Sequence, residues 1–442
     1  MMGYYMDLAL RSLRHNKVLT ALMVLAIAVG IGASMTTLTV MHLLSGNPLP
    51  GKSDSIFYAQ IDANPPLSPS HHNEPPDMLD YQSAVDLWSA HKADRQTLVV
   101  ESPVKIAAQD VQQPPSMGML LSPTADFFTM FNVPFQYGGP WSADDDTHRS
   151  RVAVISADLN DKLYGGANSV GRVLRLHDAD VRIVGVLKPW RPTPQFYYVV
   201  GGRFSHGQTA DYYAKPQDVF TPFFTSLQIN DGNFEQFNCW EAPKVAGHLV
   251  GAGCVWIGLW VELGSAAKVA SYRNFLADYA AQQKAAGRIG YADNTRLRNL
   301  MDWLAFNQVV PSDVRLQTWL ALSFLLICLC NTVGLLLVKF LRRGGEIGIR
   351  RALGASRKQI FMQCLFEAGA IGVLGGTCGW LLTLLGLQWV RAQPVAYADL
   401  AHMDLVMFGS TFLLAVLVSL LAGTLPALHA SRIAPALQLK TL

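Results

Sequence analysis

Charge is scarce in this chain. Of its 442 residues, 15% are Asp, Glu, Lys or Arg, where a soluble domain carries about a quarter. Half of the residues are apolar and the mean hydropathy is positive, which excludes an ordinary soluble protein of this length. The formal net charge of +3 is too small for a nucleic-acid-binding surface, and the basic residues gather at the ends of apolar runs instead. Cysteine is scarce as well. Six cysteines rule out a disulfide-dense scaffold. No Ser-His-Asp or Cys-His set is legible, so no catalytic site is expected. The chain is read as carrying no phosphate-binding loop; if ATP drives it, another polypeptide binds the nucleotide.

Four apolar runs of membrane length are present, with one long polar insertion. They predict an α-helical integral membrane protein whose large α+β extracytoplasmic domain lies between helices 1 and 2. Residues 1–17, with Arg11, Arg14 and Lys17, read as a cytoplasmic interfacial helix. Residues 18–44 form the first transmembrane helix with a stalk, since 27 residues at 1.5 Å each exceed a hydrocarbon core of about 30 Å. The polar domain occupies 45–313. It opens on the turn-rich GNPLPGKSD and alternates short Val/Ile/aromatic runs with Pro, Gly and Asp clusters. Helices are expected at 76–91 and 265–288. The second, third and fourth spans are placed at 314–341 (again with a stalk), 360–390 and 405–425. An outer loop (391–404) and a cytoplasmic tail (426–442) complete the topology.

Between the second and third spans, 342–359 form a cytoplasmic loop. Lys339, Arg342, Arg343, Arg350, Arg351, Arg357 and Lys358 cluster there with Glu346 as the lone acid, and Lys and Arg are retained on the cytoplasmic side. Gly344-Gly345 break the preceding helix. EIGIRRAL can then make about two turns before Gly354 stops it. Ile347, Ile349 and Leu353 would give this helix an apolar side for docking on a soluble partner.

The segment EIGIRRALGAS resembles the coupling segment of MacB/FtsX-type ABC transporter permeases. Two other stretches are similar to the same family. The succession LSPTADFFTMFNVPFQYGGPWSADDD, RVAVISADLNDKLYGG, SVGRVLRL and VRIVGVLKP resembles its periplasmic core domain, and 426–435 resemble its terminal signature. The resemblance implies a MacB-like permease without a fused ATPase domain, multi-pass in the bacterial inner membrane with a periplasmic domain. It implies that 346–356 contact a separate ABC ATPase subunit, with Glu346 and Arg350 in polar contacts around the apolar residues. ATP and Mg would be bound by that partner and no cofactor by this chain. A second permease, as homodimer or paralogue, is implied too, and a periplasmic adaptor and outer-membrane channel are the further partners such a tripartite efflux system uses. Lipoprotein release and FtsX-like or peptide-sensing signalling are the alternatives. From about Trp190 to Trp240 the chain departs from the family pattern, which leaves cargo open.

Several residues are singled out for packing or covalent structure. Gly30 stands with Ala26 and Ser34 at four-residue spacing, and Gly372, Gly375, Gly376 and Gly379 form two overlapping Gly-x-x-x-Gly pairs; both patterns let another helix approach closely. Asn331, in mid-membrane, is expected to hydrogen-bond either another helix or its own backbone. Glu367 is expected to pair with Arg or Lys or to snorkel. Cys239 and Cys254, the two cysteines of the outer domain, are expected to form a disulfide. No metal site is expected. His71-His72 read as solvated loop residues, and Asp144-Asp145-Asp146 lack the alternate spacing of a calcium loop and read as a turn.

Overall fold

The computed structural model describes residues 17–66, 73–108, 114–403 and 405–431. The interfacial helix expected over 1–17 therefore lies outside the described residues except for Lys17, as do His71-His72 and everything past Ser431. The chain divides into two compact units: Gly46–Val309, and a second made of the segments on either side of it.

Among its described residues the membrane unit contains four long apolar helices: α1 (Lys17–Ser45), α2 (Ser312–Arg342), α4 (Arg357–Arg391) and α5 (Leu405–Ser431). A fifth, short helix α3 (Gly344–Ala352) connects α2 to α4. Each long helix is long and apolar enough to cross a membrane. Local sequence fixes their ends. Pro311 precedes the first residue of α2, where a missing N–H costs nothing. Ser356 begins α4 with a reciprocal cap: its Oγ accepts from the Gln359 N–H at 3.3 Å, and Gln359 Oε1 accepts from the Ser356 N–H at 2.8 Å. One end differs from expectation. The last helix does not stop at Leu425 but passes through Pro426 to Ser431. Proline is tolerated inside a spanning helix because neighbouring groups can satisfy the carbonyl it frees.

The outer unit has two sheets. Its strands are β1 (Ile56–Ile61), β2 (Leu79–Asp80), β3 (Arg95–Val99), β4 (Glu101–Ala108), β5 (Ser116–Leu121), β6 (Phe135–Gly138) and β7 (Val152–Ile155). There follow β8 (Val173–Leu176), β9 (Ala179–Leu187), β10 (Val219–Phe220), β11 (Asn238–Cys239), β12 (Cys254–Glu262) and β13 (Thr295–Asn299). The first sheet runs β11-β12-β1-β13, with β2 and β3 also paired to β12. The apolar runs CVWIGLWV and IFYAQI put β12 and β1 at its centre, buried on both faces. In the second sheet β9 pairs with both β7 and β8, so β9-β7-β10-β5-β4-β8 closes on itself, and β6 hangs on β9. Val104, Ile106, Leu120, Ile155, Leu174 and Ile183 help to fill this closed sheet.

The helix expected over 265–288 spans Ala266–Ala285, capped by the Ser265 side chain. The one expected over 76–91 is shorter, Tyr81–Ser89, because Leu79 and Asp80 pair with β12 and Asp80 caps the helix. Two expectations are corrected. Asp144-Asp145-Asp146 are helical rather than a turn: the Ser142 capping box starts the short helix Ala143–Thr147. Contrary to the reading that no phosphate-loop spacing occurs, Gly46 to Ser53, GNPLPGKS, spell it. A phosphate loop needs a strand before it and a helix after. Here helix α1 precedes and strand β1 follows. Lys52 is committed to the carbonyl of Thr129 at 3.0 Å and to Glu262 at 3.7 Å, and Ser53 Oγ accepts from Asn47 at 2.8 Å.

Candidate functional site

The candidate site is α3 and its attachments. Gly344 and Gly345 open the helix after Arg343 leaves helical geometry. Gly354, at φ +99°, closes it in a conformation that a Cβ disfavours. The Ala355 N–H reaches the Arg350 carbonyl at 3.0 Å and satisfies one of the last free acceptors.

The three apolar residues expected to share one docking face do not. Ile347 is 8% exposed and packs into the core of the membrane unit with Phe340, Ile360 and Cys364 nearby in that cluster. Ile349 and Leu353 are 48% and 83% exposed. Burial of Ile347 follows from the shortness of α3, which must spend one apolar side chain on holding itself to the bundle. In the same loop Arg342, Arg357 and Lys358 are exposed as well. The loop thus exposes two large apolar side chains in a cationic stretch of the sequence. Glu346 and Arg350 bond to each other at 2.8 Å. Each also reaches other groups: Glu346 accepts from Arg343 at 2.9 Å, and Arg350 donates to Gln363 of α4 at 3.0 Å.

The packing residues separate by neighbour. Cβ atoms built on Gly372 and Gly376 would stand 2.5 Å from Ser419 Cβ and 2.8 Å from Ala415 Cβ, both on α5. On Gly375 and Gly379 they would stand 2.7 Å and 3.1 Å from side-chain carbons of Ile27 and Ile31 on α1. One glycine pair therefore faces α5 and the other faces α1. Gly30 lies against α2, with a built Cβ 3.0 Å from Cys328 Cβ. Asn331 is exposed on α2, and neither expected hydrogen bond is made among the described residues. Glu367 is paired with both Lys339 and Arg343. The inward turn of Lys339 is not legible in the sequence, where it reads as one more boundary cation. The signal that could have found it is an isolated lysine a turn inside one span and an isolated glutamate inside the next.

In the outer unit Cys239 and Cys254 are joined. The segment between Trp190 and Trp240 borders two cavities of about 480 and 530 Å³ that share Val200, Gly201 and Gln236. Phe204, Phe237 and Trp240 line the first, and Glu101 and Tyr198 the second. Burial pushes the Glu101 carboxyl up to about 7, opposed by the hydrogen bond from Gln217 and aided by Glu235.

Residues 20–273 match the MacB-like periplasmic core domain, and residues 319–435 match the FtsX-like permease C-terminal domain. The first match alone covers more than half of the chain. The chain belongs to the MacB-like, FtsX-like family of permeases. It is a multi-pass inner-membrane protein whose outer unit is the family's periplasmic domain. Among curated proteins it is 26% identical over 315 residues to the macrolide export ATP-binding/permease protein MacB of Azoarcus sp. (strain BH72), covering 70% of this chain and 40% of that protein. It is 22% identical over 365 residues to MacB 2 of Aeromonas hydrophila, covering 80% of this chain and 49% of that protein. The chain thus spans two fifths to a half of the length of these relatives. The solved periplasmic region of MacB from Actinobacillus actinomycetemcomitans aligns at 11% identity with a TM-score of 0.35, covering 57% of this chain and 91% of that one.

Proposed function

We propose that this chain is the permease subunit of an ABC export system, coupling ATP hydrolysis on a separate ATPase subunit to movement of its periplasmic domain. The observation that carries the reading is the outward face of α3, where Ile349 and Leu353 stand exposed in a cationic stretch of the sequence while Ile347 anchors the helix from behind. An apolar knob with a charged rim is a usual anchor for a protein groove. ATP and Mg would be held by the partner. Glu346 and Arg350 would meet the groove's rim, and Gly354 would set the helix end. A second permease, identical or paralogous, would complete a symmetric pair, and an adaptor and outer-membrane channel would extend the path outward. The relatives named for macrolide export support export as the task.

Truncating one such anchor costs about 2 kcal/mol at an interface, and a β-branched side chain at a left-handed position costs about 1 kcal/mol or more. Leu353→Ala and Gly354→Val leave every charge in place. In complexes purified in mild detergent, both are expected to lose the ATPase subunit or to uncouple its hydrolysis, while the permease still inserts. Unchanged subunit retention and unchanged hydrolysis in both variants would reduce the loop to a topogenic anchor and overturn the reading.

A further inference from the structure

Five charged side chains of alternating sign run from inside the membrane unit to α3. Lys339 of α2 is 0% exposed and contacts Glu367 of α4, which is 2% exposed. The other carboxylate oxygen of Glu367 accepts from Arg343 at 3.0 Å. Arg343, in the break between α2 and α3, donates to Glu346 at 2.9 and 3.1 Å. Glu346 pairs with Arg350 one turn on at 2.8 Å, and Arg350 returns to α4 through Gln363 at 3.0 Å.

Two features make this series more than a means of neutralising charge. Lys339 lies one turn from the end of α2, where a lysine normally extends to the headgroups; here it turns inward, at the desolvation cost that a buried ion carries. The backbone on either side of α3 is also soft. Gly344-Gly345 are its first two residues, Gly354 follows it, and Cβ atoms built on Gly345 and Gly354 would meet nothing within 4 Å. A helix hung between glycines would swing when pulled, and the pull would be lost at the hinges. Ile347 packs α3 into the core, Arg351 donates to the Ser431 carbonyl of α5 at 3.4 Å, and the charge series ties α3 to α2 and α4.

We propose that Lys339, Glu367 and Arg343 are positioning residues. Glu367 is the pivot that clamps α2, α4 and the root of α3, so that displacement of α3 moves the two spans as one body. The proposal rests on reading α3 as the coupling helix, but its stiffness can be measured without any partner.

In the full chain, with Cys328, Cys330, Cys364 and Cys378 replaced by alanine, spin labels at Ile349→Cys and Leu374→Cys report the distance between α3 and α4. A narrow distribution is expected for this background and a broad one for Arg343→Gln and Glu367→Gln. A lone buried Lys339 could also unfold the bundle, so the deciding variant is Lys339→Met with Glu367→Met. Replacing a buried ion pair by apolar groups of similar size spares the fold, yet the clamp is gone: the expected result is unchanged melting with a broad distribution. A narrow distribution in this folded double variant would overturn the proposal. In the ATPase complex Lys339→Met with Glu367→Met, made in the chain with Ile349 and Leu374 native and unlabelled, should keep its partner but lose stimulated hydrolysis by roughly tenfold, within the range of allosteric coupling. If no ATPase accompanies the unaltered chain, the coupling reading fails, and the label distances still decide the clamp.

Discussion

Glu101 carries the clearest residue-scale consequence. Its carboxyl borders the second outer cavity, receives a hydrogen bond from the Gln217 amide and is lifted by burial to about 7. In the unfolded chain the same group titrates near 4.3. Between about pH 4 and 7 the folded state therefore holds a proton that the unfolded state has released, and stability falls as pH rises through that window. The loss at the upper end is roughly 3–4 kcal/mol, the free energy that separates the two proton affinities. Glu101→Gln should remove this part of the slope in melting temperature between pH 4.5 and 8, followed by tryptophan fluorescence. Asp146, which burial also raises to about 7, keeps a slope of the same sign in the variant. An unchanged pH profile would mean that Glu101 stays ionised in the fold. None of this is legible in the sequence, where Glu101 is one acid in a strand of alternating pattern. The same limit applies to Ile347: spacing puts it on the apolar side of a short helix but does not say whether that side faces a partner or the protein's own core.

At the scale of elements, the glycines of α4 are the test. Their spacing is legible and predicts close packing; which helix each pair meets is not, because a repeat in sequence defines a face and not its neighbour. With Gly372 and Gly376 against α5, an added methyl must displace Ser419 or Ala415. Overpacking of this kind costs about 1–3 kcal/mol. Gly372→Ala and Gly376→Ala are expected to lower the detergent melting temperature of the membrane unit. Gly334→Ala and Gly409→Ala, where a built Cβ meets nothing within 4 Å, should leave it unchanged or raise it through helix propensity. Equal effects at all four positions would show that lipid or propensity, not helix contact, sets the glycine content. The helix end expected at Leu425 differs from the observed one for a related reason. A proline removes one backbone hydrogen bond without having to end the helix, and α5 continues through Pro426 to Ser431, as spanning helices tolerate.

At the scale of the whole molecule, the four spans and the long insertion are legible because hydropathy and charge asymmetry are properties of the chain and need no tertiary context. The order of strands in the outer unit is not, since β12 pairs with partners more than a hundred residues away in sequence. The same charge asymmetry makes the last prediction. Seven Lys and Arg lie between Lys339 and Lys358, whereas residues 392–404, at the other end of α4, contain neither. Cations are held on the cytoplasmic side, so α2 must end there and α1 must deliver Gly46–Val309 to the opposite side. Lys92 is exposed in the outer unit, and Gly345 has open space around it in the loop. With the four unpaired cysteines replaced and Cys239–Cys254 left bonded, Lys92→Cys should react with a membrane-impermeant maleimide applied to spheroplasts. Gly345→Cys should react only after the membrane is opened. Reaction of both from outside would invert or break the topology, and with it the assignment of α3 to the compartment where ATP is hydrolysed.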